Sequence, residues 1–179
     1  PLPAVAAVVF QSTPVLGPDG LADHRGNGAT SVGRMTVSSS QTITGIGVLN
    51  FLPVDEYLKF FIGNAATGAM LYLSGPHFFT ADAGAGGNVA SMTYKVSNPL
   101  SFTFDPGITY AVGSIAVGET WTYADTTQTN TSGAFTSYVG NVNVVGYAAP
   151  GLLTTVRCCN IGFELFGDQE VPEPATLGL

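Results

Sequence analysis

The sequence predicts an all-β fold, a single jelly-roll-like antiparallel β-sandwich, on three observations. Apolar and polar residues alternate with period two in a succession of short runs. Gly and Pro separate the runs at roughly 8–12-residue intervals, the strand spacing of sandwiches and barrels. No stretch longer than one turn carries helical periodicity, in a chain rich in Gly and Thr and poor in Lys and Glu, a composition that disfavours helices. At 179 residues the chain is sized for one domain with a full core.

The elements follow in order. Residues 1–12 are predicted to form an extended N-terminal strand. Leu2, Ala4, Ala6, Val8 and Phe10 line one face of it and Val5, Ala7 and Val9 the other, so both faces are apolar. The run is far shorter than the ~20 residues of a membrane-spanning helix. An edge strand fits it, as does a secretion-signal remnant around the small-x-small triplet Ala4-Val5-Ala6. The sharpest expectation is an assembly strand (Leu2, Val5, Val8, Val9, Phe10) that packs against a neighbouring subunit instead of its own domain.

The sandwich domain is predicted over residues 13–168. It begins with a long Gly/Asp-rich loop over residues 17–33, where no periodicity is present. Strands are expected over residues 41–49, 58–62, 70–73, 89–96, 100–104, 108–117, 120–123, 138–145 and 161–166. The clearest alternation sets Ala90, Met92, Tyr94 and Val96 against Ser91, Thr93 and Lys95. Ala90, Met92, Tyr94, Phe102 and Phe104 are expected in the core. Residues 123–137 are rich in Thr and Ser without an apolar pattern and are predicted to be an exposed loop. Within them Asn130-Thr131-Ser132 fits the N-linked acceptor triplet.

Charge narrows the function classes. Charged residues are 9% of the chain, against roughly 25% in ordinary domains. Gly, Thr, Ser and Asn replace them, leaving a surface with little like-charge repulsion to oppose association. The net charge is −7, and Arg25, Arg34, Lys59, Lys95 and Arg157 are scattered. Nucleic acid and a polybasic membrane patch are excluded as partners.

No catalytic constellation is visible, and an enzyme is not expected. His24 lies in the Gly-rich segment, His77 follows Gly75-Pro76 at a turn, and Asp55-Glu56 reads as a solvated pair. No cofactor is expected. Asp19, Asp23 and Asn27 are a weak calcium candidate, at four-residue intervals beside glycines but without EF-hand spacing. Trp121 and Tyr123 share one face of a strand, where they could form a platform for sugar rings or simply pack. Cys158 and Cys159 are adjacent, so a strained vicinal disulfide, a bridge between subunits and two buried thiols all remain open.

The last nine residues, Val171-Pro172-Glu173-Pro174-Ala175-Thr176-Leu177-Gly178-Leu179, resemble the start of a PEP-CTERM sorting signal. The resemblance rests on Val171, Pro172, Glu173 and Pro174. It implies export in a Gram-negative bacterium, recognition by an exosortase, delivery to the surface or matrix, and an association with exopolysaccharide. The apolar helix and basic cluster that complete such a signal are not among these residues, and residues 169–179 are read as its remnant. More loosely, the domain resembles the β-sandwiches found ahead of such tails, through Ile43-Thr44-Gly45-Ile46-Gly47, residues 60–69, and residues 99–104 leading into Pro106-Gly107-Ile108-Thr109-Tyr110. The expectation is an extracellular structural protein that self-associates as a fibre or matrix subunit. The alternative is a surface-anchored carbohydrate-binding module.

Overall fold

A computed structural model of the chain describes residues 6–12, 24–84, 91–125, 129–138, 141–157 and 160–168. They form an all-β, sandwich-like arrangement in which every strand pairing is antiparallel. One sheet has four strands in the order β1 (Ala6–Ser12), β16 (Phe163–Asp168), β4 (Gly45–Asn50), β8 (Thr93–Val96). The larger sheet runs β11 (Asn130–Ser132), β12 (Phe135–Tyr138), β2 (His24–Val37), β10 (Tyr110–Asp125), β5 (Glu56–Asn64), β6 (Met70–Leu73). β7 (His77–Phe79) pairs with β5 beyond the end of β6, and β15 (Asn160–Ile161) pairs with the end of β10. Two small ribbons complete the set, β3 (Gln41–Ile43) with β9 (Phe102–Phe104) and β13 (Asn141–Val145) with β14 (Gly151–Arg157). Among the described residues no helix is long and apolar enough to cross a membrane.

The main core lies between the two sheets. Phe10, Ile46, Val48, Phe163 and Leu165 come from the small sheet, and Met35, Leu58, Phe60, Ile62, Tyr110 and Val112 from the large one. The strand period of two puts the alternate residues of β5 and β10 on the outer face of the large sheet. There Phe61, Ala111 and Ile115 are buried with Val144 and Leu152 of the β13–β14 ribbon. A third cluster, Leu49, Phe51 and Met92 with Tyr94 and Trp121, closes one end.

Several expectations are corrected. Residues 24–33, read as loop, belong to β2, which pairs along β10 from Ala124↔His24 to Tyr110↔Met35. Its glycines hide it from a hydropathy pattern because they serve close approach. A Cβ on Gly33 would stand 2.5 Å from the Phe163 ring, and one on Gly113 of β10 would stand 1.9 Å from the Ser31 carbonyl oxygen. The Thr/Ser-rich residues 123–137 are not one loop either. Residues 123–125 continue β10, and β11 and β12 form a hairpin that turns at Gly133 with φ 56°. Phe135 anchors that hairpin, buried against Phe10 with ring centroids 5.7 Å apart. The two strands expected over residues 108–117 and 120–123 are one long strand with a register irregularity between Ile115 and Thr120.

In β8 the expected facing is reversed at its end. Lys95 is 4% exposed and Val96 40%. Register sets the outcome, because Lys95 lies opposite the core residue Val48, and Asp82 meets its ammonium there. Met92 and Phe104 are buried as expected, Tyr94 and Phe102 are half-buried, and Ala90 lies outside the described residues.

Candidate functional site

The N-terminal strand is the first sequence-predicted site. β1 pairs within its own sandwich: Ala6↔Asp168 through Ser12↔Phe163 join it to β16. Phe10 is buried against Phe163 and Phe135, with ring centroids 5.4 and 5.7 Å apart. A bulge between Val8 and Phe10 lets the backbone turn this one large side chain inward. Val9 packs at the core margin and Val8 is exposed, while Leu2 and Val5 lie outside the described residues. Within the small sheet β1 is an edge strand, pairing with β16 among the described strands. Edge strands of this kind offer backbone groups to further pairing.

A second surface arises where β5 meets β6 and β7. The pair Tyr57↔Phe78 faces outward, and its rings contact edge-on with centroids 5.3 Å apart. Phe61↔Leu73 carries the same face along the sheet. Val117 follows Ala116, whose partner is the core residue Leu58, so alternation points it outward with Tyr57. Tyr57, Leu71, Leu73, Phe78 and Val117 are all exposed. Scattered exposed apolar residues are ordinary, but a group on one face of one sheet is a candidate contact surface. The sequence reading missed it because it placed His77 at a turn and left the following two phenylalanines unassigned. The pair of neighbouring aromatics in β7 was the available signal.

Among the described residues, four charged side chains are withdrawn from the surface: Lys95, Asp82, Glu56 and Glu164. Lys95 Nζ lies 2.7 and 2.9 Å from the two Asp82 oxygens, and both side chains are buried. Burial lowers the Lys95 amine below the ordinary lysine range, against the opposing hydrogen bond and charge of Asp82. Asp82 is held in turn by the Leu52 N–H at 2.7 Å and the Thr93 hydroxyl at 2.8 Å. Glu56, expected to be solvated, is 6% exposed, and its Oε1 accepts the Gly118 N–H. Its neighbour Asp55 stays exposed and accepts the Ala81 N–H at 2.8 Å. Glu164 is buried opposite Gly47, and burial raises its carboxyl above the usual glutamate range. His77 is half-buried with its ring edge-on to Phe60, and burial lowers its pKa.

Lys59 lies at the border of the outer face. Its Nζ stands 4.6 Å from the Tyr147 ring centre and donates to the Tyr147 carbonyl at 2.8 Å. The loop after β13 is thereby tied to β5. Burial, then Glu56, then Tyr57 raise the Tyr147 hydroxyl pKa.

The remaining predicted residues are placed as follows. Trp121 is half-buried against Leu49, Phe51 and Met92, and its backbone exchanges hydrogen bonds with Phe51 at 2.9 and 3.0 Å. This is a packing position. The Tyr123 backbone continues the same strand, and its side chain lies outside the described residues. Asn27 belongs to β2, opposite Trp121, so the loop that was to wrap calcium does not include it. Asp19 and Asp23 lie outside the described residues, as do Cys158, Cys159, Val171, Pro172, Glu173 and Pro174. Asn130, Thr131 and Ser132 lie on β11 at the edge of the large sheet, with Thr131 and Ser132 exposed.

Searches against protein-family models and against curated proteins find no match to this chain.

Proposed function

We propose that the chain is an extracellular or cell-surface structural protein of a Gram-negative bacterium, exported through its PEP-CTERM-like tail, that works by self-association and not by catalysis. The observation that carries the proposal is the apolar outer face around Tyr57 and Phe78, set in a surface from which Lys95, Asp82, Glu56 and Glu164 have been withdrawn. A face of this kind gains free energy when a second copy covers it, at roughly 25 cal/mol per Å². The residual charge supplies little repulsion against that approach. A heterologous contact between this face and another surface of the next subunit, with a rotation that does not close a ring, builds a fibre or matrix. The β1 edge strand is a second surface available for such a contact.

A surface-anchored module that binds exopolysaccharide is the second reading. The exposed Tyr57–Phe78 pair favours it, since aromatic faces stack on the C–H faces of sugars. Trp121, packed on its own cluster, does not.

The double variant Tyr57→Ser, Phe78→Ser separates the readings by sedimentation and by retention on exopolysaccharide. Self-association predicts a parent protein whose mass rises with concentration and a folded variant that stays monomeric. A parent that is monomeric but retained on polysaccharide, with retention lost in the variant, selects the second reading. A variant that associates like the parent removes this face from the account.

A further inference from the structure

The least comfortable group in the main core is Asn50. It is 0% exposed, and neither its Nδ2 nor its Oδ1 has a hydrogen-bond partner. Alternation along the strand places it between the core residues Val48 and Leu52. A buried amide with both ends unpaired is costly and rare enough to need a reason.

The reason lies on the neighbouring strand. The pairs Val48↔Lys95 and Asn50↔Thr93 are successive rungs of the β4–β8 ladder, so Asn50, Lys95 and Thr93 share a face. Cross-strand partners stand with Cβ atoms roughly 5 Å apart. The Lys95 amine curls to the Asn50–Thr93 rung. It touches Thr93 Oγ1 and lies 3.4 Å from both the Thr93 and the Asn50 backbone oxygens. A buried nucleophile, a buried carboxamide and the carboxylate that holds the nucleophile are therefore neighbours on one face of the β4–β8 ladder.

We propose that Lys95 and Asn50 join in an intramolecular isopeptide bond, Lys95 Nζ to Asn50 Cγ, with Asp82 as the proton carrier. Asp82 takes one proton from the Lys95 ammonium, and the free amine lone pair attacks Asn50 Cγ. The Cγ–Nδ2 bond breaks. Two protons leave the lysine nitrogen in all, one by way of Asp82, and together they convert the departing NH2 to ammonium. The balance is Lys–NH3+ plus Asn–CONH2 giving Lys–NH–CO–Asn plus NH4+, with Asp82 restored to its carboxylate and no oxidant or cofactor consumed. The burial that lowers the Lys95 pKa raises the share of neutral, nucleophilic amine. Asp82 is the less suitable acyl partner: as a carboxylate it resists attack, and its oxygens already accept from Leu52, Thr93 and Lys95. The product would remove the orphaned Nδ2 from the core and tie the edge strand β8 covalently to β4, a useful property in a subunit that bears load in an assembly.

The test is the intact mass of the reduced, denatured parent protein followed by tryptic mapping. The expected mass is one ammonia below that of the sequence. Acylated Lys95 resists trypsin, so the map should contain residues 35–59 joined to residues 60–157. Mapping is needed because Asn27-Gly28 can lose ammonia on its own. Asn50→Ala and Asp82→Asn should each restore separate peptides 60–95 and 96–157. A parent protein of full mass that yields those two free peptides overturns the proposal. Loss of ammonia confined to the Asn27 peptide, or loss of one water with Lys95 joined to Asp82, overturns it equally.

Discussion

Replacing Phe10 with alanine asks whether β1 belongs to its own sandwich. The ring is 1% exposed and lies between Phe163 and Phe135, with centroid distances of 5.4 and 5.7 Å. Its removal loses the transfer energy of a buried aromatic side chain and leaves a cavity. Neither neighbour can easily collapse into it, since Phe163 is wedged against Gly33 and Phe135 against Phe104. Phe→Ala in such a site costs about 3–5 kcal/mol. Set against a domain stability of about 5–15 kcal/mol, that is a large share. At about 2–4 °C per kcal/mol for a chain of this size, Tm should fall by roughly 6–20 °C. The assay is thermal unfolding of the parent and Phe10→Ala at two widely separated protein concentrations. The loss should be the same at both, because Phe10 is buried within its own subunit. An unchanged Tm, or a destabilisation that depends on protein concentration, would refute this placement and return β1 to a neighbouring subunit.

Two further outcomes follow from buried groups. Glu164 has a raised pKa through burial, so the folded state holds its proton more tightly than the unfolded chain. Its contribution is therefore fully present below the ordinary glutamate pKa and is lost as pH rises through the elevated folded value. Glu164→Gln should raise Tm near pH 7 and leave it little changed near about pH 4; an equal shift at both would sink the assignment. Gly113→Ala places a methyl group against the Ser31 carbonyl in the centre of the large sheet. It should cost more than about 3 kcal/mol, beyond ordinary overpacking, read from the urea midpoint and soluble yield; parent-like stability would contradict the β2–β10 register.

Alternation made part of this architecture legible in the sequence. Ile46 and Val48, and Phe102 and Phe104, announce their strands because each covers the core from one side only. β2 was hidden for a physical reason. A strand against which Phe163 packs closely, and whose partner β10 approaches through Gly113, needs glycine and not β-branched residues. Alternation puts Lys95 on the polar side, because the sequence pattern cannot show that Asp82, thirteen residues away, returns to meet it. The Thr-rich hairpin concealed Phe135 for a similar reason: one buried ring suffices to anchor four residues of β12 to β2. The Tyr57–Phe78 face depends on the register between β5 and β7, which no single run of residues reveals.

The central claim, self-association of a charge-poor β-sandwich, is tested most directly by the native mass of the intact protein across a wide concentration range, with electron microscopy of the same samples. The account predicts a mass that climbs with concentration into extended assemblies. It also predicts little weakening by added salt, since an apolar face is not screened as charge pairs are. A single 18.4 kDa species at every concentration, with no extended particles in the images, would contradict it.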